Sequence, residues 1–105
     1  MHNATFVLIS GQTGVVSQSI EVIGMETFTV GFIGSGNTFP ATGTMTLNAR
    51  LNPYLPYNLL YITGIVANTA AAYYQFSGPY ESLQTNLSGT NGTFSAVCLA
   101  GYHAN

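Results

Sequence analysis

The chain has 105 residues, of which 47% are apolar and only 4% are charged. This length predicts one domain spanning residues 1–105, and the apolar fraction provides enough side chains for a hydrophobic core. The chain contains one Arg and no Lys, and its formal net charge is −2. A nucleic-acid ligand is therefore excluded, because binding to phosphates requires several cations. A disordered solvating segment is excluded as well, because it would carry a high net charge.

In the N-terminal half, apolar and polar residues alternate and glycines interrupt the pattern, as is typical of β-strands. A first strand is predicted from Ala4 to Ser10. A turn at Gly11–Gly14 follows, because glycine adopts positive φ without steric cost. The alternation predicts further strands over residues 15–22, 26–33 and 42–51. Phe28, Val30 and Phe32 are expected to share one face of the strand at 26–33, and the side chains expected to point inward from the strand at 42–51 are Met45, Leu47, Ala49 and Leu51.

The segment Asn52–Asn58 interrupts the alternation with two prolines. Proline lacks the backbone donor of a sheet ladder and fixes φ, so this segment is predicted to be a stiff loop. Two tyrosines, Tyr54 and Tyr57, lie in it. Because a rigid loop holds aromatic rings well for contact, both are candidate interface residues. Tyr61 and Tyr74, by contrast, are expected to pack within strands.

Beyond the loop, residues 59–66 are predicted to form a strand with a bulge or bend at Gly64. The alanines in residues 67–72 favour a short helical turn, and residues 73–76 again favour a strand.

The C-terminal segment predicts two strands, residues 81–87 and 93–101, with Leu83, Thr85 and Leu87 on one face of the first. Asn91–Gly92 between them predicts a hairpin turn, because both residues tolerate positive φ. The last strand is apolar on both faces. One face is assigned to the core, and the other, with Val97 and Leu99, is expected to be covered by a central position or by a partner chain.

Seven or eight short strands with regular turns predict an all-β fold, a single antiparallel β-sandwich or jelly-roll-like domain. The start of the chain lacks the pattern of a secretory signal, and no apolar run is long enough to span a bilayer. Synthesis in the cytoplasm without membrane insertion is therefore expected.

Catalytic and metal chemistry find little support in the residues. A metal site between His2 and His103 is conceivable, but two histidines without a third ligand make a poor zinc site. The single Cys98 lies in an apolar stretch and is expected to be a buried thiol. The glutamates are spread along the chain, and no nucleophile-elbow sequence is present. The chain is therefore expected to be no enzyme and to bind no cofactor or metal.

Two segments resemble small β-sandwich modules of tailed-bacteriophage virion proteins. The first is residues 21–32, with the strand sequence ETFTV at 26–30. The second is residues 78–87 together with 92–101, where an alternating strand precedes a turn and a closing strand that ends in Ala-Gly. The chain departs from such modules in two places. Gln84 and Asn86 stand where the modules often carry arginine in the penultimate strand, and Asn52-Pro53-Tyr54 replaces the Asp/Gly-rich turn that many have in mid-chain.

This resemblance implies a capsid decoration (cement) protein or a fibre module, commonly trimeric and non-enzymatic. A single short module fits decoration best. The implied partners are the major capsid protein and further copies of the chain in a homotrimer, and the implied location is the capsid surface of the virion. The alternative is a receptor- or glycan-binding module of a tail fibre or adhesin, in which the loop tyrosines and polar amides contact sugar. A small hydrolase has the least support.

Overall fold

The structure is a computed structural model and describes residues 2–35, 42–66, 68 and 71–102. Within these ranges the chain forms six β-strands and no helix. The strands are β1 (His2–Glu21), β2 (Thr27–Ser35), β3 (Thr42–Arg50), β4 (Asn58–Val66), β5 (Ala72–Ser77) and β6 (Ser82–Tyr102).

The long strand β6 organises the sheet, and every strand pair is antiparallel. On one side, β6 pairs with β1 along almost its whole length. On the other side, its first part pairs with β3 and its second part with β2. Strand β4 extends the sheet beyond β3, and β5 extends it beyond β2. The chain therefore forms two layers that share the β1–β6 pair.

Backbone hydrogen bonds show that this pair folds back on itself. The Val22 amide donates to the Glu81 carbonyl, next to the start of β6, and the Glu26 amide donates to the Gly101 carbonyl near its end, both at 2.8 Å. Val22 and Glu26 are joined by a tight turn, so the two ends of β6 lie close together. The layers consequently face each other across one core, and the predicted antiparallel β-sandwich with jelly-roll-like character is confirmed.

The turn predicted at Gly11–Gly14 is wrong as a strand boundary. Residues 2–21 form one strand, whose pairing with β6 shifts register three times between Val7 and Gly14. Gly11 and Gly14 have φ values of 57° and 83°. Their positive φ is used to bend β1 from one layer into the other rather than to end it.

The hairpin predicted at Asn91–Gly92 is also wrong. The segments on either side belong to the same strand and make no ladder with each other. Each pairs instead with β1, and with β3 or β2, so their inward faces meet across the core from opposite layers. Because the predicted strands merge in this way both at Gly11–Gly14 and at Asn91–Gly92, the described residues form six strands rather than the expected seven or eight.

Two local predictions are wrong, and a third lies partly outside the described residues. The bulge expected at Gly64 lies instead at Leu60, which is skipped where Leu47 pairs with Tyr61 and Asn48 with Leu59. Leu51 was expected inside but is 55% exposed, because β3 ends at Arg50. Half of the predicted helical turn, residues 67, 69 and 70, lies outside the described residues.

The predicted inward faces otherwise form the core. Strands β2, β3 and β6 bury alternate residues, with Phe28, Val30, Phe32, Met45, Leu47, Leu83, Leu87, Phe94, Ala96 and Cys98 at 2% exposure or less. Tyr61 and Tyr74 stack with ring centroids 4.5 Å apart, where β4 of one layer meets β5 of the other. The expectation that these two rings pack is confirmed.

Cys98 is expected to be inert in the folded protein. It is fully buried, and burial raises the pKa of its thiol to about 11. The reactive thiolate is therefore scarce at neutral pH. A thiol reagent at about pH 8 should label Cys98 no faster than the protein unfolds, whereas the chain in denaturant should react at once. Rapid labelling of the folded protein would contradict this.

Candidate interaction surfaces

One end of the sandwich, the loop end, is built by the turn at 22–26, the loop at 51–57 and the turn at 78–81. Backbone hydrogen bonds hold these segments together: the Glu81 amide donates to the Arg50 carbonyl at 2.9 Å and the Gly78 amide to the Glu26 carbonyl at 2.9 Å. All four charged residues of the chain, Glu21, Glu26, Arg50 and Glu81, lie in or next to these segments. The rest of the surface is therefore uncharged apart from chain termini and histidines.

Arg50 and Glu81 form an ion pair at this end. The Arg50 Nε donates to Glu81 Oε1 at 2.7 Å, and the Glu81 side chain is only 9% exposed. The guanidinium also lies 4.7 Å from the centre of the Tyr57 ring. Hydrogen bonds from Ser82 and then Arg50 lower the pKa of Glu81, and the bond to Glu81 raises the pKa of Arg50. The pair thus links β3 to the start of β6.

Acid is expected to weaken the fold through Glu81. The folded-state pKa of this carboxyl lies below its ordinary value of 4.5, so it contributes stability above that pH and loses it as the pH falls through the folded pKa. Urea unfolding at a series of pH values should show this decline, and Glu81→Gln should flatten it. An identical decline in Glu81→Gln would contradict the assignment.

The loop at 51–57 presents apolar side chains. The Tyr54 amide donates to Asn52 Oδ1 at 2.9 Å and the Leu55 amide to the Asn52 carbonyl at 3.2 Å, which fixes a tight turn. Tyr54 is 94% exposed, whereas Tyr57 is half-buried beneath Arg50. We call the exposed apolar residues of this end the loop-end patch: Ile23, Leu51, Tyr54 and Leu55.

Val97 and Leu99 lie on a different surface, the outer face of the layer formed by β1, β6, β2 and β5. Register places Val97 between Val7 of β1 and Gly31 of β2, and Gly31 beside Tyr73 of β5. A Cβ on Gly31 would lie 3.0 Å from the Tyr73 ring, so the glycine lets this ring lie on the sheet. We call the exposed apolar residues here the apolar face: Val7, Ile33, Tyr73, Val97 and Leu99, 40–69% exposed.

The apolar face surrounds a shallow depression. Its volume is about 370 Å³, and its walls include Ile33, Tyr73, Val97 and Leu99, with Thr29 and Gly31 between them. No charged residue lies on this face. The sequence pattern indicated Val97 and Leu99 as outward-facing apolar residues but was not used to predict the other three members. Strand alternation could have predicted two of them. Ile33 and Tyr73 are next to the inward-facing Phe32 and Tyr74 in sequence, so their own side chains must point outward.

The outer face of the other layer carries a central polar row beside exposed apolar residues of β1 and β4, which are Val15, Leu59, Ile62 and Val66. Thr46 Oγ1 accepts hydrogen bonds from Asn48 Nδ2 at 3.4 Å and Asn86 Nδ2 at 3.3 Å. Ser17 of β1 pairs with Asn86, so the row extends onto β1. Both outer faces therefore carry exposed apolar residues, and a hydrogen-bonded row of amides and a hydroxyl crosses the second.

Among the described residues, no group of three or more His, Cys, Asp or Glu side chains comes together. The predicted pairing of His2 and His103 lies outside the described side chains. No helix in the described part of the chain is long and apolar enough to cross a membrane.

No protein-family model and no curated protein sequence matches the chain. Among solved structures, the chain is similar to a protein in the structure of infectious bursal disease virus, Gx strain, with a TM-score of 0.58, 8% identity and 99% of the chain covered. It spans only 32% of that viral chain. It is also similar to the Yersinia pseudotuberculosis-derived mitogen, with a TM-score of 0.54, 14% identity, and 99% and 88% of the two chains covered.

A third similarity is to the CBM22-1–GH10 modules of Clostridium thermocellum xylanase 10B, with a TM-score of 0.49 and 12% identity over 98% of this chain and 27% of that one. At these identities the likeness to the first two structures concerns the fold alone, a small β-sandwich that occurs in proteins as different as a virus component and a bacterial mitogen.

Proposed function

We propose that the protein is a non-enzymatic virion structural protein that binds the outside of a bacteriophage capsid as a homo-oligomer. The observation that carries this proposal is the apolar face, an uncharged surface on the outer side of a sheet that is already packed on its inner side. Soluble proteins rarely expose such contiguous apolar groups unless a partner covers them. The virion role itself comes from the resemblance of residues 21–32 and 78–101 to phage modules, and the fold it implies agrees with the structure.

The apolar face is the surface that rests on the major capsid protein. Its centre contains Tyr73, whose ring offers a large contact area with few rotatable bonds. The loop-end patch reaches a neighbouring shell subunit through Tyr54. Because the apolar face contains no charged residue, binding there gains its free energy from apolar burial rather than from ion pairs.

Binding to the shell is therefore expected to depend weakly on salt. The dissociation constant for empty shells, assembled from the capsid protein of the same genome and measured by co-sedimentation, should change by less than about threefold between about 50 and 500 mM NaCl. A loss of about tenfold or more would contradict an uncharged contact.

A substitution in the apolar face tests its position. Leu99→Gln should weaken shell binding by about tenfold or more, because a polar side chain enters a dry contact. Ile62→Gln is the matched control, since Ile62 is 58% exposed but lies on β4, outside the apolar face. Equal binding of the two variants would overturn the placement, and no binding of the unaltered protein would overturn the capsid role.

The polar row on the second outer face favours one second candidate, a glycan-binding module. Asn48 and Asn86 have amide groups beside the Thr46 hydroxyl, and amides and hydroxyls are the groups that recognise sugar hydroxyls. A glycan array would detect this activity. Specific binding that Asn86→Ala abolishes, in a protein that does not bind shells, would favour this candidate.

A further inference from the structure

Strand β1 is paired on one side only. It bonds to β6, and no other strand of the described ranges lies along its opposite edge. No backbone hydrogen bond joins a residue of β1 to the described turns and loops. An unpaired edge is a template on which another strand can form a ladder.

The second half of this edge lacks the features that commonly block pairing with another strand. Between Gly14 and Glu21, β1 pairs with Gly89–Ser82 without any register shift, so the edge is regular there. Exposed edges are commonly blocked by lysine, proline or a bulge. The stretch from Val15 to Ile20 has neither a charged residue nor a proline.

The sequence of this stretch is self-complementary when it runs antiparallel to itself. Residues 16–20 read Val-Ser-Gln-Ser-Ile. A two-fold axis at Gln18 places Val16 of one copy opposite Ile20 of the other, Ser17 opposite Ser19, and Gln18 opposite Gln18. The two apolar residues are half-buried and point toward the core, and the two serines are exposed on the other face.

We propose that two copies of the protein join through this edge, with their β1 strands antiparallel about a two-fold axis at Gln18. The pairing completes the burial of Val16 and Ile20 and satisfies the free backbone groups of the edge. No like charges meet between Val15 and Ile20, so a second copy fits without repulsion. The contact is isologous and gives an even number of copies, a dimer or two joined trimers.

This proposal deepens the self-association in the proposed function and rests on that part of it alone. It is tested on the isolated protein without shells. A failure here leaves shell binding to be judged by its own assay, and a protein that pairs in this way but binds no shell would overturn the capsid role and not the pairing.

The first experiment exchanges charges across the axis. In Ser17→Lys/Ser19→Lys, each new lysine faces a lysine of the second copy, so the mass measured by light scattering should fall to half. Ser17→Glu/Ser19→Glu should behave in the same way. An equimolar mixture of the two variants should restore the original mass, because every lysine then faces a glutamate.

Thr44→Lys/Gln75→Lys is the control, because it adds the same charge at exposed positions away from this edge. It should keep the original mass. If the Ser17→Lys/Ser19→Lys variant keeps the mass of the unaltered protein, or if mixing the charge variants restores nothing, the edge pairing is overturned.

A second experiment reads the register. Antiparallel partners have Cα atoms about 4.5–5.5 Å apart, within disulfide range. Gln18→Cys should therefore form a disulfide-linked dimer on mild oxidation, while Ser17→Cys, which faces Ser19, should link poorly. The buried Cys98 does not compete. Linking of Gln18→Cys no faster than Ser17→Cys would overturn the two-fold axis at Gln18.

Discussion

Replacing Phe94 by alanine is expected to lower the free energy of unfolding by about 3–5 kcal/mol. Phe94 is fully buried where β6 passes from one layer to the other. Three glycines from three strands contact its ring. A Cβ on Gly89 would lie 2.6 Å from the ring, one on Gly34 2.7 Å and one on Gly43 3.0 Å. The backbone is thus closed around this side chain, and removal of the ring leaves a cavity that the surrounding strands cannot fill.

The same contact predicts the effect of enlarging a glycine. Gly89→Ala should lower the free energy of unfolding by about 1–3 kcal/mol, because the new methyl group overlaps the ring. Gly64→Ala is the matched control, since Gly64 lies in β4 with no atom within 4 Å of a built Cβ. Urea unfolding measures both variants.

A double-mutant cycle identifies the cause. In the Phe94→Ala background, the cost of Gly89→Ala should largely vanish, because the overlapping ring is gone. Equal unfolding midpoints for Gly89→Ala and Gly64→Ala in the unaltered background would contradict the proposed packing.

The sequence predicted the alternating faces well because inward and outward residues follow the period of a strand. Phe28, Val30 and Phe32 share one face as expected, and that face lies in the core. Periodicity reports which side a residue faces, and this is a local property of the strand. The faces are therefore predicted correctly even where the connections between strands are predicted wrongly.

The two segments at which β1 and β6 pass from one layer to the other could not be predicted from periodicity. Gly11–Gly14 and Asn91–Gly92 have the composition of turns, and local propensity cannot distinguish a turn within one sheet from a bend between two layers. The outcome depends on what lies beside each segment: β1 and β6 bend together, and β2 and β3 take the free side of β6. These are contacts between residues far apart in sequence.

The candidate surfaces could be predicted only in part, because the contacts between strands that form them are not a local property of the sequence. An apolar residue on the outward face of one strand, such as Val97, can be recognised from alternation alone. Its joining to Val7 and Tyr73 depends on strand order, which the sequence does not state. The clustering of all charged residues at the loop end likewise appears only when β1 and β6 fold back.

Replacing both Tyr54 and Tyr57 by alanine is expected to weaken binding to the shell by about 2 kcal/mol, or about 30-fold. Tyr54 is almost fully exposed on a turn fixed by Asn52, so its ring is available to a partner with little entropy to lose. Tyr57 supports the loop from below through its contact with Arg50.

The single variants separate contact from packing. Tyr54→Ala should lose most of the shell affinity with no change in melting temperature, because its ring packs against no core residue. Tyr57→Ala should lower the free energy of unfolding by about 0.5–1 kcal/mol through the lost cation–π contact. Leu59→Ala, exposed on β4 beyond the loop, is the control and should retain shell affinity. A large fall in melting temperature for Tyr54→Ala, with binding unchanged in the folded fraction, would mean that this ring stabilises the sandwich and makes no contact with a partner.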